Sequence, residues 1–343
     1  MARYPSHRRG GRKGRTRRQL YIISALLIIA VSYCVYRIAI RNTHPGTRIT
    51  PEASTDTNSA FLPLVPRSEE ELEPIPDLIG DAPEPTSEPN PQAAKLITEA
   101  MALLDAKPAR IIDARDRLNE TLPMPMSRQQ RSIVKKQLSA LADKWLFNRA
   151  IFPQDRLCSV YKVKPGDQLR TIGKMHKVPH EILLQINKIT RPEALQAGET
   201  IKVINGPFHA RIYRSTFTMD LYLQNTFVRS FPVGLGREGM ETPTGLWSVK
   251  PAGKLITPTW TDPITGKTYE AEHPDYPLGS RWIGLKGVKG EAKGRTGFAI
   301  HGTKVPEEIG TTSSQGCIRL HNGDAILLYN LLVPSYSQVE IVE

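Results

Sequence analysis

The sequence predicts a multidomain chain: a single N-terminal transmembrane helix, a short α-helical segment, a small α+β module of order βααβ and a mainly β C-terminal domain. Three observations carry the prediction. No charged residue appears from Leu20 to Tyr36, apolar residues recur at helical spacing after Ala93, and short alternating runs separated by turns fill the chain beyond Gly206. With 25 Gly and 28 Pro in 343 residues, 39% of them hydrophobic, one or two folded domains and a length of linker fit better than one globule.

The net charge of +12 suggests a nucleic-acid partner until it is located. Eight Lys or Arg lie between Arg3 and Arg18 without one acid, which leaves +4 for everything else. Residues 1–19 therefore read as a basic cytoplasmic tail. Residues 20–40 form the anchor, about 31 Å of helix at ~1.5 Å per residue. Arg37 sits where its head snorkels to the interface, and the cationic flank sets the N-terminus in the cytoplasm. Everything past Ile40 is then exported, with the membrane as a partner and no nucleic acid. A cleaved signal peptide is the competing reading; the long apolar run and the lack of an A-x-A site argue against it. Tyr33 is too bulky to precede a lipid-modified cysteine, so Cys34 is read as facing lipid.

Residues 41–92 are rich in Pro, Glu, Ser and Thr and poor in large apolar side chains, a composition that leaves a disordered linker. Over 93–150, Leu96, Ala100, Leu103, Ile112, Leu118, Leu138, Leu141 and Trp145 mark two or three helices, broken at Pro-Met-Pro-Met, 123–126. This segment is a helical spacer or docking element.

The stretch 159–204 opens and closes on alternating runs and carries two short helical patterns between them. Pro165 and Gly166 make a turn, Asp167 is placed to cap the first helix, and Pro179 starts the second. With "YKVKPGDQL", Asn187 and "LQAGETIKV" in this order, the module resembles a LysM domain. That resemblance implies binding to N-acetylglucosamine-containing glycan, chiefly peptidoglycan. Val163, Pro165 and Gly166 would lie on one side of the groove and Ile189 on the other. A βααβ spacer with no ligand is the bland alternative.

From Phe208 the runs "HARIYRS", "FTMDLYL", "TFVRSFPVG", "TPTGLWSV", "RWIGL" and "GFAIHG" predict strands, "NGDAILLYNLL" a helix and "SQVEIV" a closing strand. One of only three cysteines, Cys317, follows Gly316 in "SSQGCIRLHN", and His301 ends a buried strand. A thiol attacks a carbonyl as thiolate, and an imidazole within reach takes its proton. The N–H groups of Gly316 and Cys317 would face the oxyanion of a tetrahedral intermediate. Acyl transfer follows, and a thiol so activated titrates below the free value of about 8.5. Residue chemistry alone leaves three other readings open: a disulfide between Cys317 and Cys158, a metal site from His301, Cys317 and His321, and an inert buried cysteine.

"AIHGT" and "IGTTSSQGCIRLHNGD", with "TPTGLWSV" and "YPLGSRWIGL" before them, resemble the YkuD-type L,D-transpeptidases over 207–343. The resemblance implies a YkuD-like β-sandwich, Cys317 as nucleophile, His301 as base, the Gly302 carbonyl orienting the ring, Ser314 supporting the turn and Arg319 positioning the loop or a substrate carboxylate. Gln315 stands where many members have His or Lys. Residues 253–280, with Trp260, Tyr269 and Tyr276, form a lid or simply pack. The implied activity is a peptidoglycan L,D-transpeptidase of the inner membrane facing the periplasm. Its thioester with a tetrapeptide stem passes to an amine, giving a 3→3 cross-link or a tethered protein, and carbapenems would acylate it. No cofactor or metal is implied. L,D-carboxypeptidase action with water, or a non-catalytic wall-anchoring role, are the alternatives.

Overall fold

A computed structural model describes residues 85–343. The 20–40 anchor, the 1–19 tail and most of the 41–92 linker lie outside the described residues. Among the described residues no helix is long and apolar enough to cross a membrane.

Three helices come first. In α1 (Pro91–Asp105) the Asn90 side chain accepts from the N–H groups of Gln92 and Ala93. A second helix, α2 (Ile111–Asn119), is followed by α3 (Arg128–Trp145), which starts on a reciprocal capping box between Ser127 and Gln130. The apolar spacing read from the sequence is the buried face, with Ala100, Ile112, Leu118, Leu138, Leu141 and Trp145 all in the core.

Next comes the βααβ module: β1 (Cys158–Lys162) pairs antiparallel with β2 (Thr200–Ile204), enclosing α4 (Leu169–Met175) and α5 (His180–Asn187). Asn187 pins the end of α5 to β2, donating to the carbonyls of Leu183 at 2.9 Å and Lys202 at 2.8 Å and accepting from the Lys202 N–H at 2.8 Å. Asp167 does not cap α4 as the sequence suggested. It closes the preceding turn, accepting from the Lys164 N–H and the Tyr161 hydroxyl, both at 2.8 Å, because the chain stays extended through Gln168 before the helix begins.

The C-terminal part contains β3 (Phe208–Tyr213), β4 (Thr218–Leu223), β5 (Thr226–Pro232), β6 (Leu235–Gly236), β7 (Gly245–Leu255), β8 (Trp260–Thr261), β9 (Thr268–Tyr269), β10 (Trp282–Lys289), β11 (Ala299–His301), β12 (Thr312–Ser314), β13 (Ile318–Arg319), α6 (Asn322–Tyr329) and β14 (Gln338–Val342). It is mainly β, but eight strands join in one continuous mixed sheet, β13-β11-β10-β7-β14-β3-β4-β5, instead of two separately bonded sheets. The parallel pairs β14–β3 and β11–β13 make it mixed. β6–β12 and β8–β9 form two-stranded accessories.

The helices cover the open edge at β5, which would otherwise present unpaired backbone. Asn119 Oδ1 accepts from the Phe227 N–H at 2.9 Å, and Lys135 pairs at 2.5 Å with Asp220, whose side chain is fully buried. The βααβ module is tied to the same helices. Lys202 Nζ donates to the carbonyls of Trp145, Asn148 at 3.1 Å and Ala150 at 2.7 Å, capping the end of α3, and Arg115 meets Asp155 in a buried pair at 2.8 Å.

Candidate active site

His301 and Cys317 come together because β11 and β13 run parallel at one edge of the sheet. His301 is in register with Arg319 and Ile300 with Ile318. Side chains alternate between faces, so His301 and Arg319 project from the same face, and Cys317 immediately precedes β13. Ile300 and Ile318 point the other way into the core and are fully buried. The core anchors this edge from behind, and the chemistry stands in front.

The turn carrying the thiol demands its glycine. Gly316 has φ +107°, and a Cβ there would sit 2.8 Å from Phe298 Cε1. Ser314, buried, donates to the Cys317 carbonyl at 2.7 Å and accepts from the Gly316 N–H at 3.1 Å. That contact corrects the expectation that the Gly316 amide faces an oxyanion: it is spent inside the turn. Thr242, which the sequence reading passed over inside "TPTG", accepts from the Gly236 N–H at 3.0 Å and donates to the Gly316 carbonyl at 2.9 Å. It fastens the turn to β6.

The imidazole of His301 is buried and stacks on Trp282, its cross-strand partner, with centroids 5.6 Å apart and planes 16° from parallel. Its Nδ1 lies 2.6 Å from the Gly302 carbonyl, which can only accept and so assigns a proton to Nδ1. Burial lowers His301 to about 4, although the carbonyls of Gly302 and Leu278 favour its charged form.

The thiol is half-buried, and Sγ makes a weak contact with the Gly297 carbonyl at 3.9 Å; among the described residues no hydrogen bond joins it to His301. Desolvation pushes Cys317 up to about 11, against the lowering effects of the Ala299 amide and the Arg319 charge. The resting pair is therefore neutral thiol and neutral imidazole. Both directions run against a standing thiolate below 8.5, because surrounding protein removes more hydration than nearby charge restores.

Arg319 is engaged with Glu308 and lies 3.4 Å from Ser313 Oγ, so it braces the 302–311 loop. His321 is exposed, at the N-cap of α6. Cys158 and Cys317 are both free, and among the described residues no group of three or more His, Cys, Asp or Glu is placed to hold a metal. Gln315 donates to Asp262 at 3.4 Å, touching the β8–β9 hairpin inside 253–280, where Trp260 and Tyr269 stack. Tyr276 is buried, its hydroxyl on the Pro258 carbonyl at 2.6 Å, so it packs. A cleft of about 620 Å³, lined by Met240, Phe298, Gln315, Arg214 and Arg295 among others, opens beside the turn.

In the βααβ module, Val163 is 3% exposed, so its side chain belongs to the core and is withdrawn from a ligand. Pro165 and Gly166 are exposed on the first loop, and Ile189 is half-buried after α5.

Comparison with known proteins places two families on this chain. Residues 207–341 match YkuD, the L,D-transpeptidase catalytic domain, and residues 161–203 match the LysM domain. The chain is 30% identical over 188 residues to the Bacillus subtilis protein YkuD, whose name assigns it to the L,D-transpeptidases; the match covers 53% of this chain and 97% of that protein. It is 36% identical over 200 residues to ErfK/SrfK of Escherichia coli, also named for that activity, covering 54% and 56%. Among solved structures, L,D-transpeptidase 3 from Mycobacterium tuberculosis is similar at 16% identity and a TM-score of 0.31, over 43% of this chain and 66% of that one.

Proposed function

The chain belongs to the YkuD family of L,D-transpeptidases, and from that membership we propose that it is a membrane-anchored peptidoglycan L,D-transpeptidase in which Cys317 is the nucleophile and His301 the base. The single observation that supports this most is the parallel register of β11 on β13, which sets His301 at the end of one strand and Cys317 at the start of its neighbour. His301 takes the thiol proton at Nε2 as Sγ attacks the carbonyl of the third stem residue. The S–C bond forms, the C–N bond to the terminal D-alanine breaks, and the proton goes to the leaving amine. An amine then attacks the thioester, its proton returns through His301 to Sγ, and the new amide is the cross-link. With the Gly316 N–H engaged by Ser314, the oxyanion falls to the Cys317 N–H.

A neutral resting pair suits this sequence of events. Proton transfer from Sγ to His301 accompanies attack on the substrate carbonyl, so the exported thiol stays unreactive between turnovers. The LysM module holds the enzyme on glycan through Pro165, Gly166 and Ile189, while the apolar 20–40 segment keeps it at the inner membrane with the catalytic part in the periplasm. Incubating the full chain with tetrapeptide stems and reading products by mass spectrometry tests the assignment. Cross-linked dimers with loss of D-alanine are expected; tripeptide alone would make it an L,D-carboxypeptidase, and unaltered stems would leave a wall-anchoring protein.

A further inference from the structure

We propose that Asn322 is a positioning residue for the general base: its side-chain amide fixes the 302–303 backbone and so holds the Gly302 carbonyl that orients His301. The inference rests on the reading of His301 as base. An imidazole accepts a proton at Nε2 only while Nδ1 carries one, and the group that keeps it there is the Gly302 carbonyl, 2.6 Å away. That carbonyl sits one residue past the end of β11, where the strand ladder no longer dictates its direction.

Asn322 supplies what the ladder does not. Its Nδ2 donates to the Thr303 carbonyl at 2.9 Å, its Oδ1 accepts from the Ser280 N–H at 2.9 Å, and Ser280 Oγ donates to the Asn322 main-chain carbonyl at 3.0 Å. The amide thus ties together the loop before β10, the chain after β11 and the start of α6. It is wedged so closely that a Cβ at Gly302 would lie 2.1 Å from Oδ1 and one at Gly279 2.2 Å. Two glycines are needed to let one side chain in.

An asparagine near a helix start ordinarily caps its own helix. Asn322 is inside the first turn, the N-cap position belongs to His321, and no side chain caps α6. Its hydrogen-bonding capacity is directed out of its helix and into the peptides around His301. The ring is also faced by the Leu278 carbonyl, by Trp282 on one side and by the charge of Arg319 from β13, so the neutral amide sets direction without adding charge.

The test uses the full chain with Asn322→Ala and Asn322→Asp. Asp keeps the shape and the acceptor for Ser280 while losing the donor to Thr303, so it remains informative if Ala fails to fold. Ring nitrogens of His301, read by nitrogen-15 chemical shifts at neutral pH, should show one Nδ1–H tautomer in the parent and a mixture in Asn322→Ala. Single-turnover acylation of Cys317 should fall by about 10²-fold while binding of the stem is unchanged, the pattern of a displaced base. In Asn322→Asp the acidic limb of the acylation profile should move to higher pH, since a carboxylate favours the imidazolium. An unmixed tautomer with an unchanged acylation rate in either variant overturns the proposal, whatever the melting temperature does. If the parent itself forms no thioester, the acyl-transfer reading fails, and the tautomer comparison still decides the role of Asn322.

Discussion

Cys317 is presented by backbone conformation more than by any side-chain partner. Gly316 holds φ +107° with Phe298 against its α-carbon, so Gly316→Ala should cost about 1–2 kcal/mol from the backbone alone and further from the contact, lowering the melting temperature and slowing acylation together. The pH dependence of alkylation gives a sharper expectation. Because desolvation raises the thiol to about 11, iodoacetamide labelling of Cys317 should climb with pH throughout the range 7 to 10 with no plateau near neutrality. His301→Ala should leave that labelling nearly unchanged at pH 7, since the resting imidazole is not bonded to the thiol, yet abolish acylation by a stem. A plateau below pH 8 would indicate a standing ion pair. In the sequence Cys317 and His301 stood out as candidates through the motif blocks that resemble the YkuD family, whereas residue chemistry alone left the disulfide, metal and inert readings open. The sequence could not reveal the state of the thiol, which depends on atoms brought by β10 and β11, nor Asn322 and Thr242, which look like a helix residue and a turn residue until their partners are known.

The elements divide the same way. Helices, the βααβ order and nearly every long strand follow from periodicity, since Ile, Val and Leu positions are the buried ones. Two-residue strands such as β6, β8, β9 and β13 carry no period and exist only through their partners, and strand order is a long-range property, so the single eight-stranded sheet was not legible. Docking of the helices on the sheet edge was equally hidden, because Lys135 and Asp220 are 85 positions apart. Lys135→Ala would leave the buried carboxylate of Asp220 with hydroxyl donors from Ser230 and Tyr222 but no counter-charge and should cost about 3 kcal/mol, whereas Arg229→Ala, which removes a more exposed pair with Asp143, should cost under about 1 kcal/mol; chemical denaturation of both variants checks the contrast. The LysM module shares this packing. Deleting 159–204 would remove the Lys202 cap on α3, so glycan binding is better tested by Pro165→Asp and Ile189→Asp, which should weaken sedimentation with insoluble peptidoglycan while soluble-stem acylation persists.

For the whole molecule, two buried histidines set the acid limit. His209, which accepts the Gln338 N–H at 3.3 Å, and His301 are both lowered by burial from 6.5 to about 4. Below 6.5 the unfolded chain takes protons that the folded chain refuses. Their contribution is therefore complete above pH 6.5 and is lost as the pH falls toward 4, up to about 3 kcal/mol each. Melting temperature should drop over that window, and His209→Gln should flatten the drop; a melting temperature constant from pH 7 to 4 would contradict the account. As to topology, a reporter active only outside the cytoplasm should work when fused after Glu343, with the N-terminal arginines retained in the mature chain. The central claim, that Cys317 carries the acyl group, is tested most directly by intact-protein mass spectrometry of the full chain quenched after mixing with a tetrapeptide stem or a carbapenem. The account predicts one adduct, mapped to Cys317, absent in Cys317→Ala, absent on the stem time scale in His301→Ala, retained in Cys158→Ala and indifferent to chelators. Cross-linked product from Cys317→Ala, or activity abolished by a chelator and restored by zinc, would contradict it.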